Sequence, residues 1–265
     1  MLAATHEQAV LNRFARHTPA GKRIWRSLYF GPSPSPSDAS SLTPGLSKVS
    51  YTDPVPGEKR PPQAFLIQQE AGATVQPHFH FVDQFQVVAA GDGLLGRHAV
   101  APLSVHFSAA CTGYGPIEPG DQGLSYFTFR ASADQTGAQY LPQARDLMRD
   151  GKRRNIIVEQ IPVSSDAELT ARSETDVDLY RDDPDGLAVL IYRIAPGGHI
   201  TCLDPSAGQG ITLLVAAGNV MIDGQTFARW SCAFLDPDEA GVKLTAGSSG
   251  AEILALRYPV KTATA

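Results

Sequence analysis

Between Gln63 and Arg130 the apolar residues come in short runs closed by turn residues: QAFLIQQEAGA, FQVVAAGDG, LSVHFSA and GLSYFTFR. Runs of this length, rich in Val, Phe and Tyr and ended by Gly or Asp, read as strands of a sandwich or barrel. A second block of the same kind lies between about Asp176 and Pro259, with GLAVLIYRIAPGG, GITLLVAAGNVMIDG, CAFLDPD and AEILALRYP. The two blocks share a phrase. QVVAAGDG ends near Gly93 and LLVAAGNV near Val220, the same strand and glycine turn, and Gly91 and Gly218 are 127 residues apart. A period of that length marks a duplicated fold unit rather than a solenoid, because each copy is large enough for its own core.

Around these blocks the pattern changes. Thr5 to Gln8 spell a T-x-x-Q capping box, and Val10, Leu11 and Phe14 share one helical face, which predicts a short amphipathic helix at the start. From Phe30 to Pro62 the chain is rich in Pro, Ser and Gly and predicts no regular structure, only an extended arm wrapping a neighbouring subunit or its own domain. Between the blocks, YLPQARDLMRDGKRRN places Pro142 near a first turn and Leu141, Ala144, Leu147 and Met148 on one side. This predicts a helical connector, closed by Lys152, Arg153 and Arg154 at the negative end of its dipole. The expected organisation is a helix and arm over 1–62, a barrel over 63–135, the connector over 136–175 and a second barrel over 176–265.

Composition narrows the class. With 24 Gly, 20 Pro and 18% charged residues, short strands joined by turns are favoured over helices. The net charge of −5 and pI of about 5.8 leave no cationic field for a phosphate backbone or an anionic membrane, so neither partner is expected. Cys111, Cys202 and Cys232 are too few and too widely spaced for a disulfide framework or a paired Cys-x-x-Cys site, which suits a reducing compartment. The first residues do not read as a secretory signal, and no run of 18 apolar residues occurs; a cytoplasmic protein is expected.

The chemistry concentrates in GATVQPHFHFVDQFQVVAAG, from Gly72 to Gly91. His78 and His80 are two apart, so on a strand both imidazoles face one side, with Phe79 and Phe81 on the other. Neutral imidazole is the commonest ligand for a divalent transition metal, and a shared ion gives both rings a partner that an apolar core lacks. Gln84 follows after room for a turn, so its carboxamide oxygen could face the same ion.

The spacing G-x5-H-x-H-x3-Q-x6-G, read from Gly72 through His78, His80 and Gln84 to Gly91, resembles the first signature of the cupin superfamily. That resemblance implies a small jelly-roll barrel whose two His and one Glu or Gln bind a metal. The whole chain then resembles a bicupin, an all-β protein of two tandem jelly-roll barrels. Two departures bear on function. Gln84 stands where many cupins carry an acid, which leaves the ion's charge uncompensated there and implies weaker metal binding. Tyr114 falls about where a further His ligand is expected, so the last position is open to His106, Tyr114, His98 or water. Moving the signature by 127 residues turns His78 into Pro205, His80 into Ala207 and Gln84 into Ile211, with only His199 nearby. The second barrel therefore reads as structural, and a homodimer is expected from the frequency of two-fold assembly.

Alternation sets the remaining lining. Gln84, Gln86 and Val88 share a face, and Tyr126, Thr128 and Arg130 alternate against Phe127 and Phe129. If the first of these sets is inward, Tyr126 and Arg130 offer a hydroxyl and a cation to a carboxylate or enolate; otherwise Arg130 pairs with an acid at the barrel end. The leading expectation is a metal-dependent enzyme acting on a small organic substrate. Its metal ligands would be His78, His80, Gln84 and His106, and its catalytic groups Tyr114 and Arg130. Fe(II) and a dioxygenase-type reaction are preferred, with Zn, Ni, Mn or Co and isomerase or lyase chemistry as alternatives. A non-catalytic, small-molecule-binding bicupin is the competing class.

Overall fold

The repeated glycines are where the duplication becomes visible. In the computed structural model, which describes residues 1–32, 52, 54–55, 58–151 and 153–261, β6 spans Gln84–Leu95 and β15 spans Ile211–Ile222, and both are long and bent. Gly91 and Gly218 sit at positive φ, 76° and 68°. A Cβ on either would collide with a carbonyl oxygen of the next long strand, that of Gly123 or Gly250. Register shifts fall between Val88 and Ala90 and between Gly91 and Gly93 in β6; in β15 they fall between Val215 and Ala217 and between Gly218 and Val220. The same two bulges thus recur at the same offset, bending both strands in the same places. Gly91→Ala or Gly218→Ala is expected to cost about 2–3 kcal/mol, from the left-handed conformation and the backbone clash together, read as a lower denaturation midpoint.

The chain divides into two compact units, Val10–Ile161 and Pro162–Ala265, the latter with Met1–Ala9. The first holds β2 (Arg13–His17), β3 (Arg23–Phe30), β4 (Gln63–Gln69), β5 (His78–Phe79), β6, β7 (His98–Val100), β8 (Val105–Ser108), β9 (Ile117–Arg130), β10 (Gln139–Tyr140) and β11 (Asn155–Val158). Its main sheet runs β11-β8-β6-β9-β4-β3-β2 with β7 on β6, while β5 and β10 form a separate pair. The second holds β12 (Asp176–Asp182), β13 (Ala188–Ile194), β14 (His199–Thr201), β15, β16 (Gln225–Ala228), β17 (Cys232–Leu235) and β18 (Lys243–Arg257). Its order is β1-β17-β15-β18-β13-β12, where β1 is Leu2–Ala4, so the first strand of the chain completes the last unit. Among the described residues no helix is long and apolar enough to cross a membrane.

Several expectations are corrected here. The capping box exists, with Thr5 N donating to Gln8 Oε1 (3.0 Å) and Gln8 N to Thr5 Oγ1 (3.2 Å). The helix it starts, α1, covers only His6–Leu11, however, and buries Ala9 rather than the anticipated stripe. Val10 and Leu11 are exposed and Phe14 lies in β2. Residues 13–17 and 23–30 are two sheet strands that the sequence pattern does not predict; the Pro/Ser-rich part of the arm lies outside the described residues. The predicted connector helix is a single 3-10 turn at Arg145–Leu147 with Leu147 exposed. Its apolar spacing serves a local cluster instead, in which Ala144, Leu141 and Met148 pack on Phe79 and Cys111. Lys152 lies outside the described residues. The helix that does form between the blocks is α2, Asp166–Ala171, opened by a Ser165–Glu168 capping box.

Candidate functional site

Strand register gathers the polar residues of the first unit into one row. Gln63 pairs with Arg130 across β4 and β9, Phe85 pairs with Phe129 so that Gln84 adjoins Arg130, and Gln84 pairs with Ser108, which pairs with Asn155. Gln63, Gln84, Ser108 and Arg130 are buried. Since cross-strand neighbours share a face, Arg130, Thr128 and Tyr126 are on the inner face with Gln84 and Gln86. The next row inward carries Thr128, Gln86 and His106.

β5 brings the two histidines to this row. His78 forms a backbone bridge with Tyr114 and pairs with Tyr140. The His78 and His80 rings lie on the same side, 5.3 Å apart between centroids and perpendicular, while Phe79 packs the other way. Each imidazole is oriented through Nδ1: His78 donates to Gln76 O (2.7 Å) and His80 to Asp134 Oδ2 (2.5 Å). The tautomers follow from acceptor oxygens at those positions, and they leave both Nε2 atoms as lone-pair donors. Gln84 donates from Nε2 to the Tyr114 hydroxyl (2.5 Å) and presents Oε1 inward.

Arg130 stands among these groups. Its Nη1 donates to Gln63 Oε1 (2.6 Å), and Nε and Nη2 both donate to Gln84 Oε1 (3.2 and 3.0 Å). Nη2 lies 3.2 Å from His80 Nδ1 and 3.1 Å from Nε2, so it rests against the ring between both nitrogens rather than in line with one. Asp134 is the acid of the cluster, and nothing in ASADQTG announced it beyond a turn: Oδ1 accepts from Thr136 N and Oγ1 (2.9 and 2.8 Å), and Oδ2 holds His80.

His106 does not join the histidine pair. Its Nδ1 is bonded to Gln86 (2.8 Å) and its Nε2 to Asn155. A neutral ring has one donor and one acceptor, so one of the two amides turns its NH2 group to the imidazole. Tyr114 separates His106 from His78, with ring centroids at 5.0 and 4.5 Å. His98 is exposed on β7 and lines an outer cleft instead.

Burial governs the electrostatics. Burial, the neighbouring His80 and the Arg130 charge push His78 down to about 3. Burial and Arg130 push His80 down to about 4 against the pull of Asp134, and burial pushes His106 down to about 4. All three are neutral at pH 7. Burial raises the Asp134 carboxyl, but the His80 hydrogen bond and Arg130 outweigh it and hold the group well below the usual range. Burial raises the Tyr114 phenol, which stays protonated. Arg26 on β3, half-buried and close to Arg16 and Arg130, is pushed down to about 9 by desolvation and by those two charges.

The donor set does not fit a resident divalent ion in this arrangement. Two imidazoles are poised for one, but the third donor, Gln84 Oε1, already accepts two N–H groups from a guanidinium, and Asp134 turns both its oxygens elsewhere. Among the described residues no group of three or more His, Cys, Asp or Glu could hold a metal.

In the second unit most of the inner row is apolar. At the constant offset of 127, Gln84, Gln86, His106, Tyr126 and Thr128 become Ile211, Leu213, Ala233, Ile253 and Ala255, which are all core residues, while Arg130 becomes Arg257, whose Nε donates to Gly186 O (2.6 Å). His199 is exposed on β14.

A cleft of about 530 Å3 opens beside the polar row of the first unit. Leu95, Arg97, His98, Tyr114, Asn155 and Glu159 contribute to its walls.

No family model and no curated protein matches this sequence. Solved structures do. A Nostoc punctiforme protein named as a candidate dioxygenase covers 95% of this chain over 80% of its own, with a TM-score of 0.58 at 12% identity. The nickel(II) complex of the bacterial pirin YhhW from Escherichia coli covers 94% of this chain over 100% of its own, with a TM-score of 0.50 at 14% identity. A point variant of Bacillus subtilis oxalate decarboxylase OxdC covers 77% over 70%, with a TM-score of 0.52 at 11% identity. At such identities the likeness carries the fold, which is all-β, with two tandem jelly-roll barrels of cupin type.

Proposed function

We propose that this bicupin-fold chain binds a small organic molecule in its N-terminal barrel, at the cleft floored by Tyr114 and Asn155. The observation that carries this reading is the cleft itself. Its volume of about 530 Å3 falls within the ~300–1,000 Å3 usual for small-molecule sites. Arg97, His98 and Glu159 bring both signs of charge to the lining, which also includes Leu95, Ile157 and Tyr114. That combination suits a ligand with an apolar body and polar ends. Two hydrogen-bonded chains lead inward from the floor, Tyr114–Gln84–Arg130 and Asn155–His106–Gln86. Occupancy of the cleft can therefore bias the buried network. The C-terminal barrel, filled with aliphatic side chains, serves as scaffold.

The test is a screen of small organic acids and neutral aromatics by ligand-observed NMR, repeated on Arg97→Ala and Ile157→Trp. The expected outcome is a saturable ligand whose affinity falls about tenfold or more in each variant, since one loses a charged contact and the other fills the space. Unchanged affinity in both variants would sink the reading.

A second reading, a metal-dependent oxidoreductase of dioxygenase type using His78, His80 and Gln84, is favoured by one observation. Both Nδ1 atoms are anchored by oxygens, as in metal-ligating histidines. Oxygen uptake by Fe(II)-treated protein, lost in His78→Ala, would support it.

A further inference from the structure

We propose that Arg130 is the resident cation of the N-terminal barrel, standing in for a metal ion at His78, His80 and Gln84 and keeping that site closed to divalent metals. The inference does not depend on what the cleft binds. Its basis is the placement of one guanidinium. Gln84 Oε1, the oxygen that would complete a three-ligand set with the two imidazoles, accepts from both Nε and Nη2 of Arg130 (3.2 and 3.0 Å), and Nη2 lies about as close to both nitrogens of His80. Gln63 locks the third nitrogen, Nη1, at 2.6 Å. The guanidinium is thus fixed on three sides.

Charge decides the matter more firmly than space. A second guanidinium, Arg26, stacks 4.0 Å from the centroid of Phe65, the ring that also carries Arg130 at 5.5 Å. The carboxylate in the cluster is Asp134, and its oxygens are committed to His80, Thr136 and Gly137. A dication would come beside buried Arg130 and half-buried Arg26 with Asp134 as the acid of the cluster, and like charges a few ångströms apart in protein interior repel strongly. A neutral Gln84 in place of an acid matches this arrangement. A carboxylate there would pair with Arg130 as a full ion pair, whereas the amide can accept from Arg130 at Oε1 and donate to Tyr114 from Nε2. What remains is a latent site: the two Nε2 lone pairs stay oriented by Gln76 and Asp134, and removal of the cation leaves three donors with nothing between them.

The experiment is a Ni2+ titration by calorimetry on the full chain, with four proteins compared. Wild type and His78→Ala are expected to bind Ni2+ alike, through surface histidines only. Arg130→Met, which keeps length and loses charge, is expected to gain one site about 100-fold tighter than any in wild type. Adding His80→Ala to that variant is expected to abolish the gain. A His78-dependent Ni2+ site in the wild type overturns the proposal, as does a folded Arg130→Met with no new site. Should Arg130→Met fail to fold, Arg130→Gln takes its place in the same titration, and a folded Arg130→Gln with no new site overturns the proposal.

Discussion

Between pH 7 and pH 5 the folded state is expected to lose about 4–6 kcal/mol of stability. The cause is three buried imidazoles. His78, His80 and His106 have folded pKa values of about 3, 4 and 4, against 6.5 when exposed. Above pH 6.5 neither state binds a proton at these rings, and stability is unaffected. As pH falls below 6.5 the unfolded chain takes up a proton at each ring and the folded chain does not. Each histidine then removes stability at about 1.4 kcal/mol per pH unit until pH reaches its folded value. At pH 5 that is about 2 kcal/mol each, reduced where the paired rings influence one another. Against a typical ~5–15 kcal/mol, the loss is enough to bring a domain near its unfolding midpoint. Below about pH 4 Asp134 adds to the fall, because its folded carboxyl is held low and the unfolded one is not. Urea midpoints at pH 7, 6 and 5 read the effect directly, and His106→Gln should flatten the slope by about one third. A stability profile level from pH 7 to pH 5 would contradict the burial of these rings as neutral groups.

Local periodicity carried much of this fold and failed in identifiable places. The shared face of His78 and His80, that of Tyr126, Thr128 and Arg130, and the paired glycines Gly91 and Gly218 all follow from period-two alternation or from repetition, whereas it is the pairing of Thr128 with Gln86 that turns the β9 set inward. Strands β2 and β3 were hidden because arginines occupy positions that alternation reserves for apolar side chains: Arg16 and Arg26 alternate with Phe14, Ile24 and Leu28 in the register. The connector read as a helix because 141–148 has helical spacing, yet that spacing is met by a turn packing on Phe79. Long-range partners left no trace. Asp134 lies 54 residues from His80, and Arg130 lies 50 from it. No motif links such pairs, and it is strand register that brings Gln63, Arg130 and Gln84 into one row.

In the second barrel Glu252 alternates along β18 with the core residues Ile253 and Ala255, and it carries a buried charge. Glu252 and Arg193 are register partners on β18 and β13, at the places where the first unit has Ser125 and Gln68 on β9 and β4. Glu252 is 0% exposed. Its Oε1 accepts from Arg193 Nη1 (2.8 Å), Arg172 Nη2 (2.9 Å) and Ser164 Oγ (2.7 Å), and its Oε2 from Ser164 N (3.0 Å). One carboxylate thus ties the segment carrying α2 to the sheet. Arg193 also donates to Asp178 (2.5 Å) and Pro162 O (3.0 Å), so it remains fixed in place when Glu252 is removed. Glu252→Ala is therefore expected to cost about 3–5 kcal/mol, mostly from leaving two guanidinium groups beside an empty, buried position. Glu252→Gln, which retains the shape and some acceptors, should cost less. Replacing both partners, as Arg193→Met with Glu252→Leu, should recover part of the loss, because the two charges it leaves without these partners, Arg172 and Asp178, are partly exposed. Denaturation midpoints of wild type and the three variants rank these costs. A Glu252→Ala midpoint close to that of the wild type would mean that water reaches these arginines and that the segment from Ser164 to Arg172 is held by its apolar contact through Leu169 instead.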